Sequence, residues 1–136
     1  MLKIPVALQN ELVQLARRDS PIETCGYLSG SDGVVKEVIP LTNTDHSAEH
    51  FSFDPKEQFQ AVKDARAKEY ELIAVYHSHP ASPARLSAED LRMANDPRIV
   101  YLIVSLQNPD EPILKAFKVS SGTVTEVSIL SSEGCE

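Results

Sequence analysis

A mixed β-sheet flanked by helices, the α/β class, is the fold this chain predicts, and three observations lead to it. Stretches with apolar residues at helical spacing are interspersed with short strand patterns. The run Leu72-Ile73-Ala74-Val75-Tyr76 is apolar throughout, as a strand buried on both faces should be. The 136 residues, 42% of them hydrophobic, are ample for one core and call for no second. Helices and strands around one apolar centre make an α/β sandwich, here a single domain over residues 1–136.

The elements follow in order. Val6, Leu8, Leu12, Leu15 and Ala16 recur at near-helical spacing and Pro5 suits a first turn, so residues 5–18 read as a helix. Asp19-Ser20-Pro21 ends it. Residues 25–29 and 34–39 read as strands joined by a turn at Gly30-Ser31-Asp32-Gly33. Residues 41–54, with Asn43, Asp45, His46 and His50, lack periodicity and read as a surface loop. Asp54-Pro55 is a cap followed by proline, opening a helix to about Lys68 with Phe59, Val62 and Ala65 inward. After strand 72–76 and a proline-rich turn, Ser87-Ala88-Glu89-Asp90 opens a third helix that stops before Pro97. Strands at about 99–105, 113–119 and 123–130 complete the sheet, and residues 131–136 read as a loose tail.

Composition removes several classes of function. The formal net charge of −7 argues against nucleic acid, because phosphate binding needs a basic face. The longest apolar run, residues 99–104, is far short of the roughly 20 residues that cross a bilayer. Met1-Leu2-Lys3-Ile4-Pro5 leads into the first helix without a signal-peptide core. Cys25 and Cys135 lie far apart, one in a core strand and one near a polar tail, which argues against a disulfide and for a reducing cytoplasm.

Chemistry concentrates between Tyr76 and Asp90. His77 and His79 are two apart, so on an extended strand end both imidazoles project to one side and can meet one metal ion. Catalytic zinc takes three ligands from His, Asp or Glu and keeps one position for water. Asp90 becomes the third ligand if the helix opened by Ser87 folds back over the strand end. Alone, a His-x-His is more often a pair of strand-end histidines, and Ser-x-x-Asp is an ordinary capped helix start. Capping and metal binding are compatible, so the joint pattern decides.

That pattern is His-Ser-His-Pro, six further residues, then Ser-x-x-Asp, with a glutamate earlier in Pro21-Ile22-Glu23-Thr24-Cys25-Gly26. It resembles the JAMM metalloproteases, the catalytic JAB1/MPN (Mov34) domain, whose fold is similar to that of cytidine deaminases. The family's motif reads here as Glu23, His77, His79, Ser87 and Asp90, and the likeness extends over nearly the whole chain. The resemblance implies one zinc ion held by His77, His79 and Asp90, with Ser87 supporting the reacting centre and Glu23 handling protons. The chemistry agrees, since zinc lowers the pKa of its water to about 7. A nearby carboxylate can pass the proton to a leaving amine. A hydroxyl such as that of Ser87 can stabilise an oxyanion, a contact worth about 10²–10³ in rate.

The short one-domain form resembles the prokaryotic branch, peptidases that cut after the C-terminal glycine of ubiquitin-like sulfur-carrier proteins. The expected partner is such a C-terminal tail, bound as an added strand, with glycine selected by a channel too narrow for a β-carbon. Ala84-Arg85-Leu86 departs from the family in lacking the proline often found ahead of the serine. Other short peptides or ubiquitin conjugates are alternative substrates, and a non-catalytic MPN scaffold is an alternative function, although such a scaffold would normally have lost a ligand. A zinc deaminase is excluded, because it needs Pro-Cys-x-x-Cys and the cysteines stand at 25 and 135. Cys25 is read as a buried strand residue ahead of a thiol ligand or nucleophile, and Tyr76 as a packing residue. His46 and His50 are read as solvated loop residues ahead of substrate or metal contacts. Asn43, Ser52 and Phe53 are candidate groove residues, on a segment resembling the family's substrate-contacting insertion.

Overall fold

The structure is a computed structural model that describes residues 1–132. In chain order it consists of β1 (Leu2–Pro5), α1 (Val6–Asp19), β2 (Cys25–Ser31), β3 (Val34–Leu41), α2 (Pro55–Ala67) and β4 (Glu71–His79). There follow α3 (Ala88–Met93), β5 (Val100–Ser105), β6 (Ile113–Ser120), β7 (Thr123–Val127) and β8 (Ile129–Ser132). The mixed α/β class is as expected. All strands join one eight-stranded sheet in the order β7-β6-β5-β4-β2-β3-β1-β8. β4 is central, antiparallel to β2 and parallel to β5.

The ends of that order are covalent neighbours. Only Ser128 separates β7 from β8, and its carbonyl accepts the Leu2 N–H at 2.9 Å. At this corner the chain passes from pairing with β6 to pairing with β1. The sheet therefore curls so that its two end strands are joined at Ser128. The strand predicted over 123–130 is thus two strands. Ser131 and Ser132, expected in a loose tail, pair instead with Ile4 and Pro5; residues 133–136 lie outside the described part. β1 itself was not predicted, because four residues before a helix are too few for a readable alternation.

The two faces of the sheet serve different ends. On one, Leu12 and Ala16 of α1 pack with Leu28, Ala74, Tyr76, Leu102, Val104 and Ala116 as the main core. On the other lie α2, α3 and a smaller cluster of Ala84, Ile103 and Phe117 with Leu86. α2 meets the sheet through Ala61 and Ala65 rather than through Phe59, which is 65% exposed. The alanines define the contact side of the helix, and Phe59 sits off it with the Lys63 ammonium 5.5 Å above its ring. Val6 is likewise exposed, at the start of α1. No helix among the described residues is long and apolar enough to cross a membrane.

Gly26 shows how tightly β2 is wedged. A Cβ there would come within 2.6 Å of Tyr76 Oη and 2.2 Å of the Ile39 carbonyl. Tyr76 is fully buried on the α1 side, so neither neighbour can retreat cheaply. Gly26→Ala should therefore cost about 1–3 kcal/mol of stability as overpacking. Urea unfolding of both chains checks this, and an unchanged midpoint would mean that the strand yields.

Candidate metal centre

Three side chains meet at the end of β4. The strand runs through both histidines, so His77 and His79 share one face as their spacing predicts. Asp90 arrives from α3, whose N-terminus is built by the capping box read from the sequence. Ser87 Oγ accepts the Asp90 N–H at 3.0 Å, and Asp90 Oδ2 accepts the Ser87 N–H at 2.9 Å. That reciprocal pair holds the carboxylate over the strand end. Glu23 comes by register: β2 pairs Cys25 with His77, and the Ser78 N–H donates to the Thr24 carbonyl at 3.0 Å. Continued by one more residue, the same register sets Glu23 opposite His79.

The distances suit a small divalent cation. His77 Nε2 lies 3.2 Å from His79 Nε2, and Asp90 lies 3.2 Å from the first through Oδ1 and 3.0 Å from the second through Oδ2. A tetrahedral ion with bonds of about 2.0–2.1 Å spaces its ligand atoms by about 3.3 Å. His79 Nδ1 lies 2.8 Å from the Pro83 carbonyl, which can only accept, so this nitrogen carries the proton. In the neutral ring Nε2 is then a bare lone pair, aimed at a carboxylate and at the other imidazole. Such a set needs positive charge at its centre, and nitrogen and carboxylate donors with an oriented outer partner are what zinc takes. These three residues are the one such group among the described residues.

Burial sets the electrostatics. Glu23 is 2% exposed, and its Oε1 has no hydrogen-bond partner among the described residues. Burial raises its pKa to about 8; Asp90 and Glu49 push the same way, against His79. For Asp90 burial also pushes upward, but the hydrogen bonds from His77 and His79 outweigh it and hold the carboxyl well below the usual range. Burial lowers the pKa of His77, favouring the neutral ring that can ligate. In His79 the bonds to Asp90 and Pro83 overcome burial and raise it. The Cys25 thiol is buried and pushed up to about 12 by desolvation and then by Glu23, so it is an inert strand residue. Tyr76 packs in the core on the opposite face.

A cleft of about 530 Å³ leads away from the triad. Its lining includes His77, Asp90, Leu86, Met93 and Tyr101, and the loop between β3 and α2 closes one side with Phe51, Ser52 and Phe53. The Phe51 ring stacks on His77 at 4.9 Å and meets the Phe53 ring at 5.4 Å in a tilted contact, neither of which sequence periodicity announces. Ser52 and Phe53 are thus groove residues as anticipated, whereas Asn43 is buried at the loop base and does not line this cleft. His50 reaches the cleft but is tied to Asp45 Oδ2 at 2.9 Å, and His46 faces a separate hollow beside Arg18 and Asp19. Ala84 and Leu86, where the sequence departs from the family, are buried or half-buried in the small apolar cluster that steadies the loop before Ser87.

Comparison with known proteins places the chain. Residues 5–119 match the family described as prokaryotic homologs of the JAB domain. The CysO-cysteine peptidase of Mycobacterium tuberculosis is 34% identical over 128 residues, 93% of this chain and 88% of that protein. A probable TtuB-protein conjugate cleaving protease of Thermus thermophilus is 30% identical over 131 residues, 96% of this chain and 84% of its own length. A Desulfitobacterium hafniense protein of known solution structure is 44% identical, with a TM-score of 0.91, covering 98% of this chain and 94% of that one. The matched span carries Glu23, both histidines and the capped Asp90, and the chain belongs to the prokaryotic JAB (JAB1/MPN) family.

Proposed function

We propose that this chain is a zinc-dependent peptidase that hydrolyses the amide after the C-terminal glycine of a ubiquitin-like, sulfur-carrier-type protein. The observation that carries the reading is the convergence of His77 Nε2, His79 Nε2 and the Asp90 carboxylate within hydrogen-bond distances, with the buried Glu23 carboxyl just ahead of the adjoining strand β2. The relatives' names support the substrate class, one a CysO-cysteine peptidase and one a conjugate-cleaving protease. A retained Glu23, Ser87 and triad argue against a scaffold that has lost its chemistry.

His77, His79 and Asp90 would hold a zinc ion, which would supply Lewis-acid polarisation and lower the pKa of a water to about 7. The chain does the rest. Glu23 takes a proton as general base and returns it to the departing amine, and the cation beside it favours the ionised carboxylate that this role needs. Ser87 Oγ accepts the Asp90 N–H and keeps its own proton to donate to the carbonyl oxygen of the substrate. Burial around the triad excludes bulk water and strengthens each of these interactions.

Substrate entry follows from the backbone. β4 and β5 have partners on both edges, so a tail cannot add to the sheet beside the triad. The loop segment 51–53 can accept it. Its Ser52 carbonyl is taken by the Thr44 N–H at 3.0 Å, while Phe51 makes no backbone bond among the described residues. A tail paired with Phe51 would reach the centre along His77, where the ring already stacks.

Metal analysis of the purified chain should find about one zinc per molecule, and His77→Ala or Asp90→Ala should remove it; full retention would refute the ligand assignment. Given a ubiquitin-like domain whose terminal glycine carries appended residues, the wild type should release them in intact-mass measurement. Glu23→Gln should keep zinc yet lose at least about 10² in rate, and a fully active variant would require another base. A third expectation concerns the zinc-free chain. The Glu23 carboxyl is raised from 4.5 to about 8, so the folded state binds the proton more tightly than the unfolded one. Stability contributed by this group is therefore present below pH 4.5 and is lost as pH rises to about 8. Glu23→Gln should flatten that part of the stability–pH curve, and identical slopes in both chains would contradict it.

A further inference from the structure

One side chain outside the motif holds together everything that approaches the triad from the loop between β3 and α2. Asn43 Nδ2 donates to the carbonyls of Glu23 and His50, each at 3.1 Å, with the Ser47 carbonyl at 3.4 Å. Its Oδ1 accepts the N–H of Asp45 at 3.0 Å and that of Ser52 at 3.4 Å. The side chain is 7% exposed, so each of these bonds replaces one to water.

Glu23 is the reason this matters. It precedes β2 and lacks a ladder partner on the loop side. Its N–H donates to the Ser47 carbonyl at 2.9 Å and its C=O accepts from Asn43, so the loop holds both backbone groups of the residue. Its carboxylate cannot do the anchoring, since Oε1 has no hydrogen-bond partner among the described residues. The same loop carries Phe51 onto His77.

We propose that Asn43 is the positioning residue for Glu23. Through its donor group it fixes the glutamate backbone against the metal centre and ties that position to the loop over the cleft. The inference rests on the reading of Glu23 as the proton carrier. A general base must lie within hydrogen-bond reach of its proton, and a misplacement of about 1 Å can cost about 10²-fold in rate. Asn43 acts through geometry and touches no reacting atom.

Two substitutions separate positioning from loop integrity. Asn43→Asp keeps the acceptor for Asp45 and Ser52 but loses the donor to Glu23, together with the donor to the His50 and Ser47 carbonyls. Asp45→Ala loses the side-chain bonds to His50 and Ser52 and leaves the Asn43–Glu23 bond intact. With zinc content unchanged, Asn43→Asp should lower kcat by about 10- to 10²-fold with little change in KM. Asp45→Ala should keep kcat within about twofold. Hydrogen exchange gives a readout independent of substrate: Asn43→Asp should speed exchange at the Glu23 amide while β4 stays protected. If the added charge prevents folding, Asn43→Ser, with a shorter donor, carries the same expectations. Wild-type kcat or an unchanged Glu23 exchange rate in the donor-loss variant would overturn the proposal, and so would an equal loss in Asp45→Ala. A wild type that cleaves no carrier-protein amide would instead overturn the functional reading, leaving the exchange experiment to judge Asn43.

Discussion

The antiparallel register of β2 on β4 is the constraint on which the rest of the site depends. Pairing Cys25 with His77 turns both histidines to the α2 and α3 side and brings Glu23 up beside them. Because side chains alternate along a strand, a slip of one residue would turn the imidazoles into the apolar core against α1. The packing of Tyr76 under Gly26 resists such a slip, since the ring fits only where no Cβ stands above it. The glycine in Glu-Thr-Cys-Gly is thus a packing requirement that protects the placement of its glutamate.

Around that register the remaining parts are short and local. A six-residue helix would be marginal alone, but the Ser87–Asp90 box caps it and the apolar cluster of Ala84, Ile103, Phe117 and Leu86 anchors the approach. The same hydrogen bonds that cap the helix orient the Asp90 carboxylate, so folding and the proposed metal binding would draw on one arrangement. The Pro83 carbonyl does likewise for His79 by selecting its tautomer. The cluster gathers two imidazoles and an ionised carboxylate out of water, an arrangement that costs stability without a cation and gains it with one.

What the sequence revealed followed from the range of the signals. His77 and His79 were legible because period two is local, and Asp90 because a capping box spans four residues. Glu23 was legible only through family resemblance, since no spacing in the chain expresses a register between strands fifty residues apart. β1 and the corner at Ser128 escaped because four-residue strands carry too little alternation, and their partners lie at the other end of the chain. Phe59 misled because an apolar residue in a helical pattern was counted as inward, when the helix packs through alanines. Asn43, a groove candidate by sequence, has contacts with carbonyls that only the folded loop brings together.

In the proposed centre two histidines and one carboxylate hold zinc, with no part for Cys25. X-ray absorption at the zinc edge of the loaded chain tests it directly. The spectrum should show two imidazole nitrogens with oxygen donors at about 2.0–2.1 Å and no sulfur shell. A scatterer at the zinc–sulfur distance of about 2.3 Å, or fewer than two imidazoles, would contradict it.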